Sequence, residues 1–383
     1  MLKKFNVLVV LAALAGVVGI VLVMNRGSSR KGGPTIKGKE FSIYGHDYTL
    51  ARLAQVAAEL KHPEAFTYDP KARQATAFAS LIIYGSLQIG DPSDPKLGET
   101  LLLNTVVCGD LRVEVARGGE LRIFNSTLQT VSQVLTEEKC SRGYYFVTDG
   151  TLKVADSRIL YMSGARGPTA MANAQTDIER TTFALSDDCS FHTYLVDGRR
   201  MAIRDSKFQC EGAYGVWVEG TGGAPLRLER CTLSGSESDL YLSGDRPAVD
   251  LVDCRFGRAK VRFNQSSGRV AICWSLDVKA VERGSGMPVP GIEIVATATG
   301  RGGAETVRGR TDAGGACRLV LTEYNALPDS PTGISAGGAV TPHRIVVLSR
   351  DGKVAAEVKS HEVRGSGGTL TLEIPADALA SRP

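Results

Sequence analysis

Histidine is scarce in this chain of 383 residues: His46, His62, His192, His343 and His361 are the five copies, none beside another in sequence. Each reads as a surface or turn residue rather than a metal ligand. The eight cysteines form no C-x-x-C pair, which removes the common zinc spacings. H-E-x-x-H, the phosphate-binding P-loop and the dinucleotide glycine fingerprint are all missing. A dominant charge is missing too. The 45 basic and 41 acidic residues leave a formal +4, too balanced to argue for nucleic acid.

What the chain has is glycine, 43 residues of it, and a repeated phrase. The template is apolar, any, Asn/Asp, Ser/Cys/Thr, any, apolar. It is read at Leu102-Leu103-Asn104-Thr105-Val106-Val107, Ile123-Phe124-Asn125-Ser126-Thr127-Leu128 and Val154-Ala155-Asp156-Ser157-Arg158-Ile159. It returns at Ile203-Arg204-Asp205-Ser206-Lys207-Phe208 and Leu251-Val252-Asp253-Cys254-Arg255-Phe256, with Arg230 in the Asn/Asp slot of Leu228-Glu229-Arg230-Cys231-Thr232-Leu233. A looser copy is Ser186-Asp187-Asp188-Cys189-Ser190-Phe191. Intervals such as 21 residues (Thr105 to Ser126), 25 (Ser206 to Cys231) and 23 (Cys231 to Cys254) signal a solenoid whose units bury apolar faces only against each other. The units alternate with period two, as at Leu121 and Ile123 or Leu226 and Leu228, so they are strands. No amphipathic helix of ten residues fits inside them, which excludes an α-solenoid.

A second column supports the register. Short strands end in Gly85, Gly118, Gly150, Gly198, Gly220 and Gly244, each about half a unit before the Asn/Asp phrase. Glycine permits positive φ at a sharp corner, and Asn and Asp are the next most tolerant. The expected unit is therefore a coil with two bends, and Asn104, Asn125, Asp156, Asp188, Asp205 and Asp253 form a structural turn column. This pattern resembles the right-handed parallel β-helix of the pectate-lyase-like superfamily over residues 77–273. The resemblance implies an all-β fold and leaves function open, because that fold carries enzymes and non-enzymes alike.

Residues 7–24 form an uninterrupted apolar run of 18, long enough to span a bilayer marginally. No small-x-small cleavage site follows, so residues 1–24 read as an uncleaved signal-anchor, a transmembrane helix with the bulk of the chain extracytoplasmic. The basic flank from Arg26 to Lys39 does not fix that orientation by charge. Residues 25–40 are a flexible basic linker. Residues 41–76 form an N-terminal cap in which a helix at 48–60 covers the open end of the solenoid. Insertions between coils are expected at 129–142, 163–177 and 220–225.

After Cys273 the texture changes to longer strands. Pro290-Gly291 leads into Ile292-Glu293-Ile294-Val295, and Thr311-Asp312-Ala313-Gly314-Gly315 precedes Cys317-Arg318-Leu319-Val320-Leu321. Residues 274–377 thereby resemble the carboxypeptidase regulatory-like β-sandwich, related to transthyretin-like and Cna-B-type modules. Asp with Gly reads as a tight turn between two strands. Residues 378–383 are a tail.

Cys189, Cys231 and Cys254 fall in the inward slot of the template, and Cys231 and Cys254 are expected to stack about 5 Å apart as small buried side chains. The candidate site is the acidic column beside the glycine bends: Asp149, Asp197, Glu219 and Asp245. With Asp197 and Glu219 one coil apart, strand spacing near 5 Å would match a retaining glycosidase's catalytic pair, or suit a Ca²⁺ ion as the one conceivable cofactor. Arg199, Arg200 and Arg246 would hold an acidic sugar. A solvated charge ladder at a coil edge explains the same residues without function. Tyr144, Tyr145, Tyr194, Trp217 and Tyr241 lie on or beside one strand column and are core or stacking platform according to parity.

The leading expectation is a membrane-anchored, non-catalytic binding or scaffold protein contacting cell-surface polysaccharide or envelope proteins. Alternatives are a lyase or glycoside hydrolase acting on an acidic polysaccharide, and a purely structural envelope component.

Overall fold

Alternation decides the local structure. Strands such as Leu111–Val115, Glu120–Phe124, Thr127–Val131 and Thr151–Ala155 bury every second side chain. Leucine, isoleucine and valine at those positions face inward, and polar residues face out. The computed structural model describes residues 33–104, 111–131, 144–160, 169–170, 174–185, 190–195, 197–211, 214–220, 223–301, 305–328, 337–349, 352–365 and 368–379. The apolar run expected to cross a membrane, Asp188 of the turn column, and Cys108, Cys140 and Cys189 all lie outside these residues. Among the described residues no helix is long and apolar enough to span a bilayer.

The chain divides into two compact units, Met1–Ala184 and Leu185–Pro383. In the N-terminal unit the chain visits three sheets in turn. The first holds Glu40–Ile43, Ser80–Ile83, Leu111–Val115 and Tyr144–Thr148; the second holds Tyr48–Thr49, Ser86–Ile89, Glu120–Phe124, Thr151–Ala155 and Gln175–Glu179. The third contains Gln74–Ala77, Thr100–Asn104, Thr127–Val131, Arg158–Leu160 and Thr182–Leu185. Neighbouring strands within these sets pair parallel and in register, for example Leu121 with Leu152 and Ile123 with Val154. Stacking starts earlier than residue 77, since Glu40–Ile43 is already a rung paired with Ser80–Ile83. The cap helix is Leu50–Glu59, capped by the Thr49 hydroxyl and burying Leu50, Leu53, Val56 and Ala57.

The corner between second and third sheets is the most regular feature. Asn125, Asp156 and Arg180 in this unit all adopt φ between 46° and 52°. The next residue, Ser126, Ser157 or Thr181, points inward and is almost fully buried. Each hydroxyl donates to the carbonyl two residues back, and those of Ser126 and Ser157 also accept the backbone N–H of the preceding coil. A buried polar group is thereby satisfied on every rung.

Asn104 does not belong to this column. It ends a third-sheet strand opposite Val131, and the corner of its coil is the longer stretch 90–99, which begins at Gly90 with φ 74°. The template was matched there by composition, whereas the ladder register places the bend earlier. Arg180, which the template passed over, occupies a corner of the same column. At the opposite corner positive φ demands glycine at Gly118 and Gly244, and crowding demands it at Gly85, Gly150 and Gly198. A Cβ on Gly85 would sit 1.6 Å from the Gly45 carbonyl oxygen, and one on Gly150 2.3 Å from that of Gly119.

The C-terminal unit repeats the scheme. Its first sheet contains Phe191–Leu195, Tyr214–Gly220, Ser238–Gly244 and Val261–Asn264; its second contains Met201–Arg204, Leu226–Glu229, Ala248–Val252 and Arg269–Glu282. Lys207–Cys210 and Thr232–Gly235 pair in the third. Asp205, Arg230 and Asp253 form the corners at φ 51° to 53°. Ser206, Cys231 and Cys254 fill the inward slot, with the Cys231 N–H donating to Cys254 Sγ at 3.4 Å. Both cysteines are free thiols. Arginine in the column has a physical explanation: the Arg230 guanidinium grips both carboxylate oxygens of Asp205 one coil earlier, at 2.6 and 2.7 Å. Arg180 does the same to Asp156. Each arginine is held still further above its ordinary pKa by its aspartate, and Asp156 is held below the usual carboxylate range by Arg180.

The boundary expected at residues 273/274 falls inside one strand. Arg269–Glu282 is 14 residues long. Its first part, Arg269–Cys273, pairs parallel with Ala248–Val252 and its later part, Leu276–Glu282, parallel with Gly368–Ile374, while Val270–Lys279 pairs antiparallel with Ala316–Ala326. A second sheet, in the order Thr306–Arg310, Glu293–Ala298, His343–Leu348 and Val354–His361, closes the sandwich-like part over Leu276, Val278, Ile294, Leu319, Leu321 and Ile345. The Thr311–Gly315 turn does not make a hairpin, because its flanking strands lie in different sheets. Thr311 Oγ1 donates to the Val289 carbonyl and accepts from the Ile292 N–H, which anchors the crossing. Glu323 Oε2 accepts from both Arg258 and Trp274 Nε1, each at 2.6 Å, and so joins the last coil to the sandwich strand.

Two outcomes are expected. Arg230→Asn keeps a residue suited to positive φ and loses only an exposed ion pair, so its denaturation free energy should stay within about 1 kcal/mol of the parent. Arg230→Val, a β-branched residue at the same φ, should cost about 1–3 kcal/mol. Glu120 contacts Arg122 at 2.6 Å and Lys153 of the next coil at 3.0 Å, and these hold its carboxyl down at about 2, Arg122 most strongly. Because the folded pKa is depressed, the associated stability is present above the unfolded value near 4.3 and fades as pH falls toward 2. Carbon-13 NMR titration should find the Glu120 midpoint about two units below a free glutamate.

Candidate functional site

The acidic column does not converge. Tyr194, not Asp197, is the residue opposite Glu219 on the adjacent strand. Asp197 lies past the strand end, where it caps the short helical turn Gly198–Arg200. Its carboxylate accepts from the Arg199 side chain at 3.0 and 3.1 Å and from the Arg199 backbone, and the Arg199 contacts hold it below the usual carboxylate range. Arg199 and Arg200 are exposed on that turn. Asp245 and Arg246 form an exposed pair at 3.5 Å in the turn after Gly244. Asp149 is buried at a corner of the N-terminal unit, its N–H bonded to the Val115 carbonyl. The spacing argument failed because the turn consumes residues: Asp197 and Glu219 share a sequence neighbourhood with a glycine but not a register position. The pair offered to Ca²⁺ is therefore not assembled, and among the described residues no group of three or more His, Cys, Asp or Glu is placed to hold a metal.

What the structure does bring together is aromatic. The strands Phe191–Leu195, Tyr214–Gly220 and Ser238–Gly244 bury Phe191, Val216, Val218, Leu240 and Leu242 in the core. Parity then sends His192, Tyr194, Trp217, Glu219, Tyr241 and Ser243 to the outer face. His192, Trp217 and Tyr241 are register partners on three successive rungs. The His192 ring stacks on Trp217 with centroids 4.0 Å apart and planes 14° from parallel. Tyr214 stacks on Tyr241 at 4.0 Å and 5°, and Trp217 meets both tyrosines edge-on. Tyr194 flanks His192 at 4.5 Å.

The polar edges are directed. Trp217 Nε1 donates to Ser243 Oγ at 2.7 Å, and His192 Nε2 lies 3.3 Å from Glu219 Oε2. His192 is buried beneath its neighbours, whereas the tyrosines and Trp217 are half-buried and keep part of their surface in solvent. The face is thus a rigid strip of ring surface bordered by carboxylate and hydroxyl groups, suited to holding a ligand by stacking and hydrogen bonds.

Trp217, Tyr194 and Tyr241 of this strip were legible as a column in the sequence. His192 and Tyr214 were not. The strand begins at Phe191, three residues before Tyr194, and this brings His192 onto the same outward parity as Tyr194. Tyr214 is three residues before Trp217 and shares its face because Gly215 and Val216 are both buried, breaking strict alternation. The side chains of Tyr144 and Tyr145 lie outside those the structure describes. Comparison with known proteins finds no matching family model, curated protein or solved structure.

Removing the Ser243 hydroxyl should release the indole. Ser243→Ala is expected to cost about 0.5–1.5 kcal/mol and to shift the Trp217 indole N–H resonance, while the Trp274 indole, held by Glu323, stays in place.

Proposed function

We propose that the chain is a membrane-anchored, exported and non-catalytic binding protein, and that the aromatic face of its C-terminal unit contacts a cell-surface polysaccharide. In this reading the coiled part is a right-handed parallel β-helix similar to the pectate-lyase-like superfamily, and the later part a carboxypeptidase regulatory-like sandwich. The apolar run at residues 7–24 would supply the anchor.

The observation that carries the proposal is the position of the rings. Five aromatic side chains gather on the outer side of three successive strands, where the core does not need them. Surface aromatics grouped on a flat rigid sheet give large contact area at small entropic cost, which suits sugar rings. The strip runs across the strands, so a linear polymer would meet one rung after another at about 5 Å intervals. The enzyme alternative rested on a pair formed by Asp197 and Glu219, and the register separates them.

A glycan array probed with the full chain, followed by analysis for product, tests this. Retention of a polysaccharide without cleavage is expected. Trp217→Ala and Tyr241→Ala should each weaken retention at least tenfold while Asp197→Asn leaves it unchanged. Retention indifferent to both aromatic substitutions would remove the proposal, and release of oligosaccharide product would restore the enzyme.

A further inference from the structure

The aromatic face carries charge as well as rings, and the charge is placed by register. On its middle strand, Tyr214–Gly220, Trp217 and Glu219 are two residues apart and share the outer side. Glu219 keeps 39% of its side chain in solvent. Its register partners are Tyr194 on one neighbouring rung and Ser243 on the other, where the Ser243 hydroxyl is taken by the Trp217 indole N–H. Among the described residues no group donates a hydrogen bond to the Glu219 carboxylate. His192 Nε2 lies 3.3 Å from it, on a side chain nine-tenths buried, and that nitrogen makes no hydrogen bond. A carboxylate has room for about four donors. Glu219 thus sits at the rim of the rings with its acceptor capacity open on the solvent side.

A second carboxylate adds to the same field. Glu237 is exposed just before the strand Ser238–Gly244, whose Ser238 is the register partner of Tyr214. Burial, Tyr241 and the Glu237 charge push the Tyr214 phenol above its ordinary pKa. The faces of the rings are themselves electronegative. The cation in register with this column is Arg262, exposed on the rung beyond Tyr241. Strand spacing sets its rung about 10 Å from that of Glu219. The face is therefore polarised along the direction of stacking, negative at Trp217 and Glu219 and positive at its far end.

We propose that the polysaccharide held by this face carries free amino groups, and that Glu219 is the residue that selects them. This rests on the reading of the face as a polysaccharide-binding surface. A protonated sugar amine docks at the rim of the ring cluster and donates to the Glu219 carboxylate. Such a charge-assisted hydrogen bond is stronger than one between neutral groups, and the ring quadrupoles add to the attraction for a cation. An N-acetylated sugar brings a neutral amide to the same place. A uronate brings a charge of the same sign as Glu219 and Glu237, so the two carboxylates act against it.

The test is calorimetric titration of the full chain with three oligosaccharides of equal length: a glucosamine oligomer, its fully N-acetylated form and a galacturonate oligomer. One mildly acidic buffer, in which the sugar amine carries its proton, serves for all three. The glucosamine oligomer should bind at least about tenfold more tightly than the N-acetylated one, as expected of a hydrogen bond to a charged group, and the galacturonate most weakly. Glu219→Gln, isosteric and partly exposed, should erase that preference while the N-acetylated oligomer binds as before. Trp217→Ala should weaken the glucosamine and N-acetylated oligomers alike. Equal or tighter binding of the N-acetylated oligomer, or a preference that survives Glu219→Gln, would overturn the selection by Glu219. If Trp217→Ala still weakened binding in that case, the binding face itself would stand. Indifference of every oligomer to Trp217→Ala, or no binding of the glucosamine oligomer, would overturn the proposal too, the former together with the binding face.

Discussion

Everything in the coiled part depends on one repeated hydrogen-bonding arrangement at the corner between the second and third sheets. A residue with φ near +50° turns the chain, and the next residue carries a small hydroxyl or thiol into the core. That group donates to its own coil and, at Ser126, Ser157 and Cys254, accepts from the coil before. The chain must turn sharply at every rung, and a sharp turn leaves backbone groups that a buried site has to satisfy. Serine, threonine and cysteine satisfy them at little volume. The free thiols fit this use. The neighbouring Cys231 thiol and burial push Cys254 up, so it remains a neutral packing group rather than a reactive one.

The same corner explains why the column tolerates three residue types. Asparagine and aspartate accept the left-handed region because of their short polar side chains. Arginine does not share that reason. At Arg180 and Arg230 it is placed one coil after an aspartate and forks onto it, so the strain of the corner is offset by a contact that only the stacked geometry provides. The corners of each unit therefore interlock along the direction of stacking as well as within each turn.

The C-terminal unit shows how a stack of coils is ended. A long strand leaves the last coil and becomes a strand of the sandwich, so the sheet itself is the connection, with no linker. Glu323 ties Arg258 and Trp274 together at that passage. Among the described residues only the second sheet is prolonged in this way, and Val261–Asn264 pairs with Ser238–Gly244 alone.

Period-two alternation, the spacing of Asp156, Asp205 and Asp253, and the glycines before them made the parallel rungs and the turn column readable, because these depend on interactions local to each coil. The change of texture after Cys273 also marked the sandwich. Register was not readable, because it is set by pairing between residues that are distant in sequence, such as Leu121 with Leu152 or Glu40 with Ser80. That is why Asn104 matched the template yet sits in a strand, why Arg180 was passed over, and why Asp197 was placed opposite Glu219 when Tyr194 occupies that position. The side on which His192, Tyr214 and Trp217 gather was decided only when the sheets assembled. A strand's sequence states which residues alternate, but its neighbours determine what each one faces.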